Sequence, residues 1–111
     1  MLIYKILRPA EWDALQRDGQ TDGAPVDLAD GYIHFSTADQ VTGTLAKHFA
    51  GEGALHLLAC DPATMQQDLK WEEARGGVLF PHLYRPLRMA DVIWNRPIPH
   101  VDGHHDAGSL E

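Results

Sequence analysis

Gly31-Tyr32-Ile33-His34-Phe35-Ser36-Thr37-Ala38-Asp39-Gln40-Val41 is the stretch whose reading decides the fold. Tyr32, Ile33 and Phe35 carry the aromatic or β-branched bulk that suits a pleated, half-buried surface. A period of two puts Tyr32 and His34 on one face and Ile33 and Phe35 on the other. Thr37 and Gln40 then stand at capping-box spacing, and Ser36 with Asp39 offers a second register of the same motif. Val41, Leu45, His48 and Phe49 follow at helical spacing, so the reading is a short strand that turns directly into a helix. A histidine, two hydroxyls and the N–H groups of a new helix converge there, a place suited to an anion or a polar ligand group.

Outward from that stretch, Leu2 to Leu7 alternates as a first strand, with Tyr4 and Ile6 on one face and Ile3 and Leu7 on the other. Pro9 opens a helix that carries Trp12 and Leu15 inward and stops at Gly19. From Gly19 to Asp30 the chain is rich in Gly, Asp and Pro and reads as a loop, a lid or ligand rim. Ala54 to Cys60 is an apolar run expected as a central strand, and Asp61-Pro62 caps a helical turn. Leu69-Lys70-Trp71-Glu72 alternates with Trp71 inward, so Trp12 and Trp71 are the expected core anchors. Pro81 assigns Val78 to Tyr84 to an edge strand, on which Phe80, His82 and Tyr84 share a face. Val92 to Trp94 is a last strand.

The class that follows is α+β, with small mixed sheets and two helices. Residues 1–98 form one domain, and residues 99–111 are read as a polar, disordered tail, since periodicity ends at Pro97-Ile98-Pro99.

A chain of 111 residues supports one modest core, and 44% hydrophobic content is ordinary for a globular protein. The formal net charge of -7 argues against nonspecific binding to nucleic acid or an anionic membrane, both of which favour a basic face. Cys60, the single cysteine, sits in an apolar run and reads as a buried small hydrophobe. With no signal peptide and no apolar stretch of spanning length, the expected location is cytoplasmic. No glycine-rich phosphate loop, zinc motif or nucleophile elbow occurs.

Polar chemistry in an apolar frame gathers at His34-Phe35-Ser36-Thr37, at His48, at Trp71-Glu72 with Arg75, and at Phe80-Pro81-His82-Leu83-Tyr84. Each has a structural reading. His34 can be a core histidine, Ser36 and Thr37 helix caps, Glu72 and Arg75 a surface ion pair, and His82 with Tyr84 an amphipathic edge. Strand pairing decides whether these groups share one site.

Asp30-Gly31-Tyr32-Ile33-His34-Phe35-Ser36-Thr37, His48-Phe49-Ala50-Gly51, Lys70-Trp71-Glu72, Arg75-Gly76-Gly77 and Phe80-Pro81-His82-Leu83-Tyr84 resemble, in order, the motifs of a bacterial family known as domain of unknown function 952. The resemblance runs from Ile3 to Pro97. It implies a place in the ADP-ribosyltransferase-like superfamily, whose members bind NAD in a cleft between two small sheets. By that resemblance His34 and Ser36 hold the nicotinamide ribose and amide, with Phe35 where glycine is common. His82 or Tyr84 fills a second position, and Glu72 that of a catalytic glutamate. The implied catalytic set is His34, His82 and Glu72. The implied cofactor set is His34, Ser36, Thr37, Tyr84 and Arg75, with NAD as cofactor and no metal.

Three functions follow as expectations. The first is a nucleotide-binding enzyme of ADP-ribosyl transfer or glycohydrolase type. The second is a non-catalytic module that binds a small ligand or partner in the same cleft. The third, a phosphoesterase with paired His-x-Ser/Thr motifs, has one half in His34-Phe35-Ser36 and lacks the second in His82-Leu83-Tyr84.

Overall fold

The computed structural model describes residues 1–110, with the Arg75 side chain outside that description. The strands are β1 (Ile3–Leu7), β2 (Gln20–Thr21), β3 (Ile33–His34), β4 (Ser36–Thr37), β5 (Leu55–Cys60), β6 (Leu69–Glu73), β7 (Leu79–Leu83), β8 (Leu87–Arg88), β9 (Val92–Ile98), β10 (His100–Val101) and β11 (His104–His105). The α-helices are α1 (Pro9–Asp18), α2 (Pro25–Asp30) and α3 (Val41–His48). The main sheet has the order β4-β1-β5-β9 and the second sheet β3-β7-β6. The expected α+β class holds, but every described strand pair is antiparallel and a third α-helix replaces part of the expected loop.

Alternation along β1 explains why its sheet is covered on both sides. Ile3 and Leu7 enter one core with Leu15, Ile33, Phe35 and Leu83, while Tyr4 and Ile6 enter another with Val41, Leu45 and Leu57. Helix α3 thus covers one face, and α1 with the second sheet covers the other. β5 lies between β1 and β9, as its run of apolar residues, broken only by His56, leads one to expect.

The stretch at residues 31–41 does more than turn into a helix. Ile33 and His34 pair with β7 in the second sheet, whereas Ser36 and Thr37 pair with β1 in the main sheet. Phe35 is the crossing residue. Its ring is buried and its N–H donates to the Pro81 carbonyl at 2.9 Å. A turn of 3-10 helix at Ala38–Gln40 then leads into α3, and the Thr37 N–H donates to Gln40 Oε1 at 3.0 Å, as the capping-box spacing predicts.

Three other expectations change. β7 is the central strand of its sheet and not an edge, despite Pro81. A strand residue points its N–H and C=O to the same side, and the Pro81 carbonyl faces Phe35. There the neighbouring chain is leaving for the other sheet, so the missing Pro81 N–H interrupts no ladder. Trp71 is 39% exposed, and it is Glu72 that turns toward His82, so the alternation of β6 has the opposite phase. Trp12 is half-buried and stacks on His56 with ring centroids 4.4 Å apart.

The segment after Pro99, expected as a polar tail, forms the β10–β11 hairpin and places Ala107 against the core beneath α3. Arg96 donates to the Ala107 carbonyl, and the His105 ring bonds the Gly53 carbonyl at 2.9 Å.

Candidate functional site

Antiparallel pairing sets His34 directly opposite His82 across β3 and β7, with ring centroids 5.3 Å apart and ring planes at 66°. Tyr32 lies over both, at 4.7 Å from His34 and 4.2 Å from His82, and touches Tyr84 at 5.2 Å. The result is an aromatic cluster at the seam of the two sheets. Beside it a cavity of about 400 Å³ runs toward Arg8, His48 and Phe49, within the size range of small-molecule sites.

His34 is bracketed by carboxylates. Its Nδ1 lies 2.6 Å from Asp27 Oδ1 and its Nε2 2.9 Å from Asp30 Oδ2, so both bonds form together only when each nitrogen carries a proton. Asp27 also accepts from the backbone N–H groups of Ala24 at 2.8 Å and His34 at 3.0 Å. Lys5 completes the network, with Nζ 2.7 Å from Asp27 Oδ2 and donating to the His34 carbonyl at 3.0 Å. Burial pushes the Asp27 carboxyl up, but the His34 hydrogen bond and the Lys5 charge outweigh it and hold the pKa at about 2. For Lys5 burial wins and lowers the ammonium from its usual value, with Asp27 opposing. The two shifts are compatible, because the carboxylate gathers four donors while the ammonium has two oxygens within reach.

Helix α2 exists to seat that carboxylate. Pro25 opens it, Asp27 caps the Ala24 N–H, and Gly31 ends it at φ 85°. Gly23 has φ 106°, and a Cβ there would run into the Asp27 side chain. Sequence reasoning misses both Asp27 and Lys5 as site residues. The signal for Asp27 is Pro25 with an acid two residues on and Gly31 beyond; for Lys5 it is a lysine inside an apolar alternation.

His82 is held differently. Its Nδ1 lies 2.9 Å from Glu72 Oε1, and the Tyr84 hydroxyl donates to the same oxygen at 2.6 Å. Hydrogen bonds from Tyr84 and then His82 lower the Glu72 pKa, so Glu72 is a carboxylate that can only accept. Nδ1 therefore carries the proton. His82 is 2% exposed, and among the described residues its Nε2 is the one buried side-chain nitrogen or oxygen with no hydrogen-bond partner. Such an orphan costs on the order of 1–3 kcal/mol until something meets it.

A family model described as "Protein of unknown function (DUF952)" matches residues 6–95, which span this constellation except for Lys5. The chain belongs to the DUF952 family. The crystal structure of protein CC0527 from Caulobacter crescentus is similar over 96% of this chain and 94% of that one, at 48% identity and a TM-score of 0.91. The solution NMR structure of CC0527 covers 96% and 91%, at 46% identity and a TM-score of 0.84. No curated protein matches the chain.

In this DUF952 chain the residues expected at the site divide. His34, Ser36 and His82 line the cavity. Ser36 Oγ is 2.9 Å from Thr44 Oγ1, a bond to the helix that the capping spacing does not foretell. Thr37 caps the following helical turn through its N–H and is not among the residues that line the cavity. Glu72 and Tyr84 stand behind His82 and are not among the residues that line the cavity, while Tyr32 lines it and stacks on His82. The Arg75 side chain lies outside the described residues. Lys5 and Arg8 line the cavity already ion-paired, Arg8 through Nε to Glu52 at 2.7 Å and through Nη1 to Glu11 at 3.2 Å. Among the described residues no group of three or more His, Cys, Asp or Glu is arranged to hold a metal, and no helix is long and apolar enough to cross a membrane. Burial pushes the Cys60 thiol up to about 12, which removes it as a nucleophile at neutral pH.

Proposed function

We propose that the cleft binds an N-ribosyl nucleotide such as NAD, and that the protein is an enzyme of ADP-ribosyl transfer or glycohydrolase type with an ADP-ribosyltransferase-like fold. The observation that carries this reading is the His34–His82 pair beneath Tyr32 at the seam of two small antiparallel sheets. Tyr32 supplies a face on which a flat, positively charged ring stacks. Asp30 on the cavity wall adds negative charge near it, as a cationic ring requires. Ser36 and His34 meet ribose hydroxyls, with a hydroxyl taking the place of Asp30 at Nε2.

One observation favours a second reading. Lys5 and Arg8 are both engaged by carboxylates, so a pyrophosphate must compete for them. A non-catalytic module for an unphosphorylated ligand avoids that competition. Calorimetric titration with NAD and with nicotinamide riboside, alongside an assay of nicotinamide release, separates the two. Release from NAD supports the enzyme. Binding of the riboside alone, without release, replaces it with the binding module.

A further inference from the structure

We infer that His82 is the general base of the cleft and that Glu72 is the residue that positions it. This rests on the reading of an N-ribosyl ligand given above and names the proton acceptor for its reaction. Glu72 holds Nδ1 as the protonated nitrogen, and His82 lines the cavity with Nε2 unpartnered. A neutral imidazole fixed in that tautomer offers a lone pair at Nε2, which is what an oxygen nucleophile needs. Burial keeps bulk water from competing for that lone pair. Tyr32, only partly buried, stacks on one face of the ring and holds its plane.

In the step itself the nucleophile is water or an alcohol. Its O–H proton passes to Nε2 as the new C–O bond forms at the ribose carbon. The C–N bond to the pyridinium ring breaks, and its electron pair stays on the ring nitrogen, which becomes neutral. Glu72 meets the resulting imidazolium charge through the Nδ1–H bond. Tyr84 steadies the same carboxylate through its hydroxyl.

The experiment uses the full chain with NAD, following nicotinamide release with and without glycerol as an added alcohol. Free ADP-ribose marks water as the nucleophile, and a glycerol adduct marks an alcohol. His82→Gln should lower kcat roughly 100-fold or more with KM within about threefold, the signature of a lost base. Glu72→Ala should lower kcat about tenfold, and in ring-nitrogen NMR it should release His82 from its single tautomer. Release by His82→Gln at the parental rate overturns the base and leaves the ADP-ribosyl reading standing. Binding of NAD without release overturns the base and the enzyme reading together and leaves only the ligand site, and absence of binding overturns all three. Because His82→Gln can fail to fold, NMR of the unaltered protein serves as an independent test. Nε2 bare and Nδ1 protonated supports the assignment, and the opposite tautomer overturns it.

Discussion

Lys5 and Asp27 form an ion pair with Nζ and Oδ2 2.7 Å apart, although their side chains are only 6% and 0% exposed. The pair ties β1 to α2 and, through the His34 carbonyl, to β3. Removing one partner leaves the other charge buried, which typically costs about 3–5 kcal/mol. Lys5→Met should therefore lose that much in urea unfolding. Lys5→Met with Asp27→Asn should lose less than the sum of the single losses, because the stranded charge is gone.

The same carboxylate predicts a pH dependence. Its folded pKa of about 2 lies below the ordinary value of 3.8, so the unfolded chain takes up the proton first. Stability from this group is complete above about pH 4 and is lost as pH falls toward 2, by on the order of 2 kcal/mol. Urea midpoints measured from pH 6 down to pH 2 should fall in this window for the parent, and the component from residue 27 should vanish in Asp27→Asn.

Trp12 and Trp71, equal on sequence grounds, should part company. Trp71→Ala removes an exposed ring and should cost under about 1 kcal/mol. Trp12→Ala loses a half-buried ring that packs on the core and stacks on His56, so about 2–3 kcal/mol is expected, short of the ~3–5 for a wholly buried aromatic. Chemical denaturation of the two variants checks this directly.

Tyr84 titrates abnormally because its hydroxyl is bonded to Glu72, which raises its pKa to about 12. Glu72→Ala should bring it back toward about 10. NMR titration of ring-labelled tyrosine reads the shift, and an unchanged value would detach Tyr84 from Glu72.

Features that rest on local chemistry are legible in the sequence. The first strand, the Pro9 helix, the Ala54 strand and the Thr37–Gln40 cap are of this kind, and the structure has them. Choices that tertiary contacts decide are not legible. The phase of β6 depends on which side Glu72 finds His82, and the central place of Pro81 depends on a neighbour departing at Phe35. Asp27 escapes notice for a related reason. Its only local signature is a six-residue helix inside a Gly- and Pro-rich stretch, and its partners lie on β1 and β3. His34 and His82 stand out in the sequence as bearers of chemistry, but their adjacency is a register fact that pairing alone supplies.

The passage of the chain from one sheet to the other within the single residue Phe35 constrains how the cleft breathes. Its two walls share one continuous backbone, anchored by an amide bonded to Pro81. A crossing without slack resists gaping, so a guest is chosen by fit rather than by closure of a jaw. In hydrogen–deuterium exchange the Phe35 amide should accordingly open only with the whole molecule, like a rivet that holds until both plates come apart.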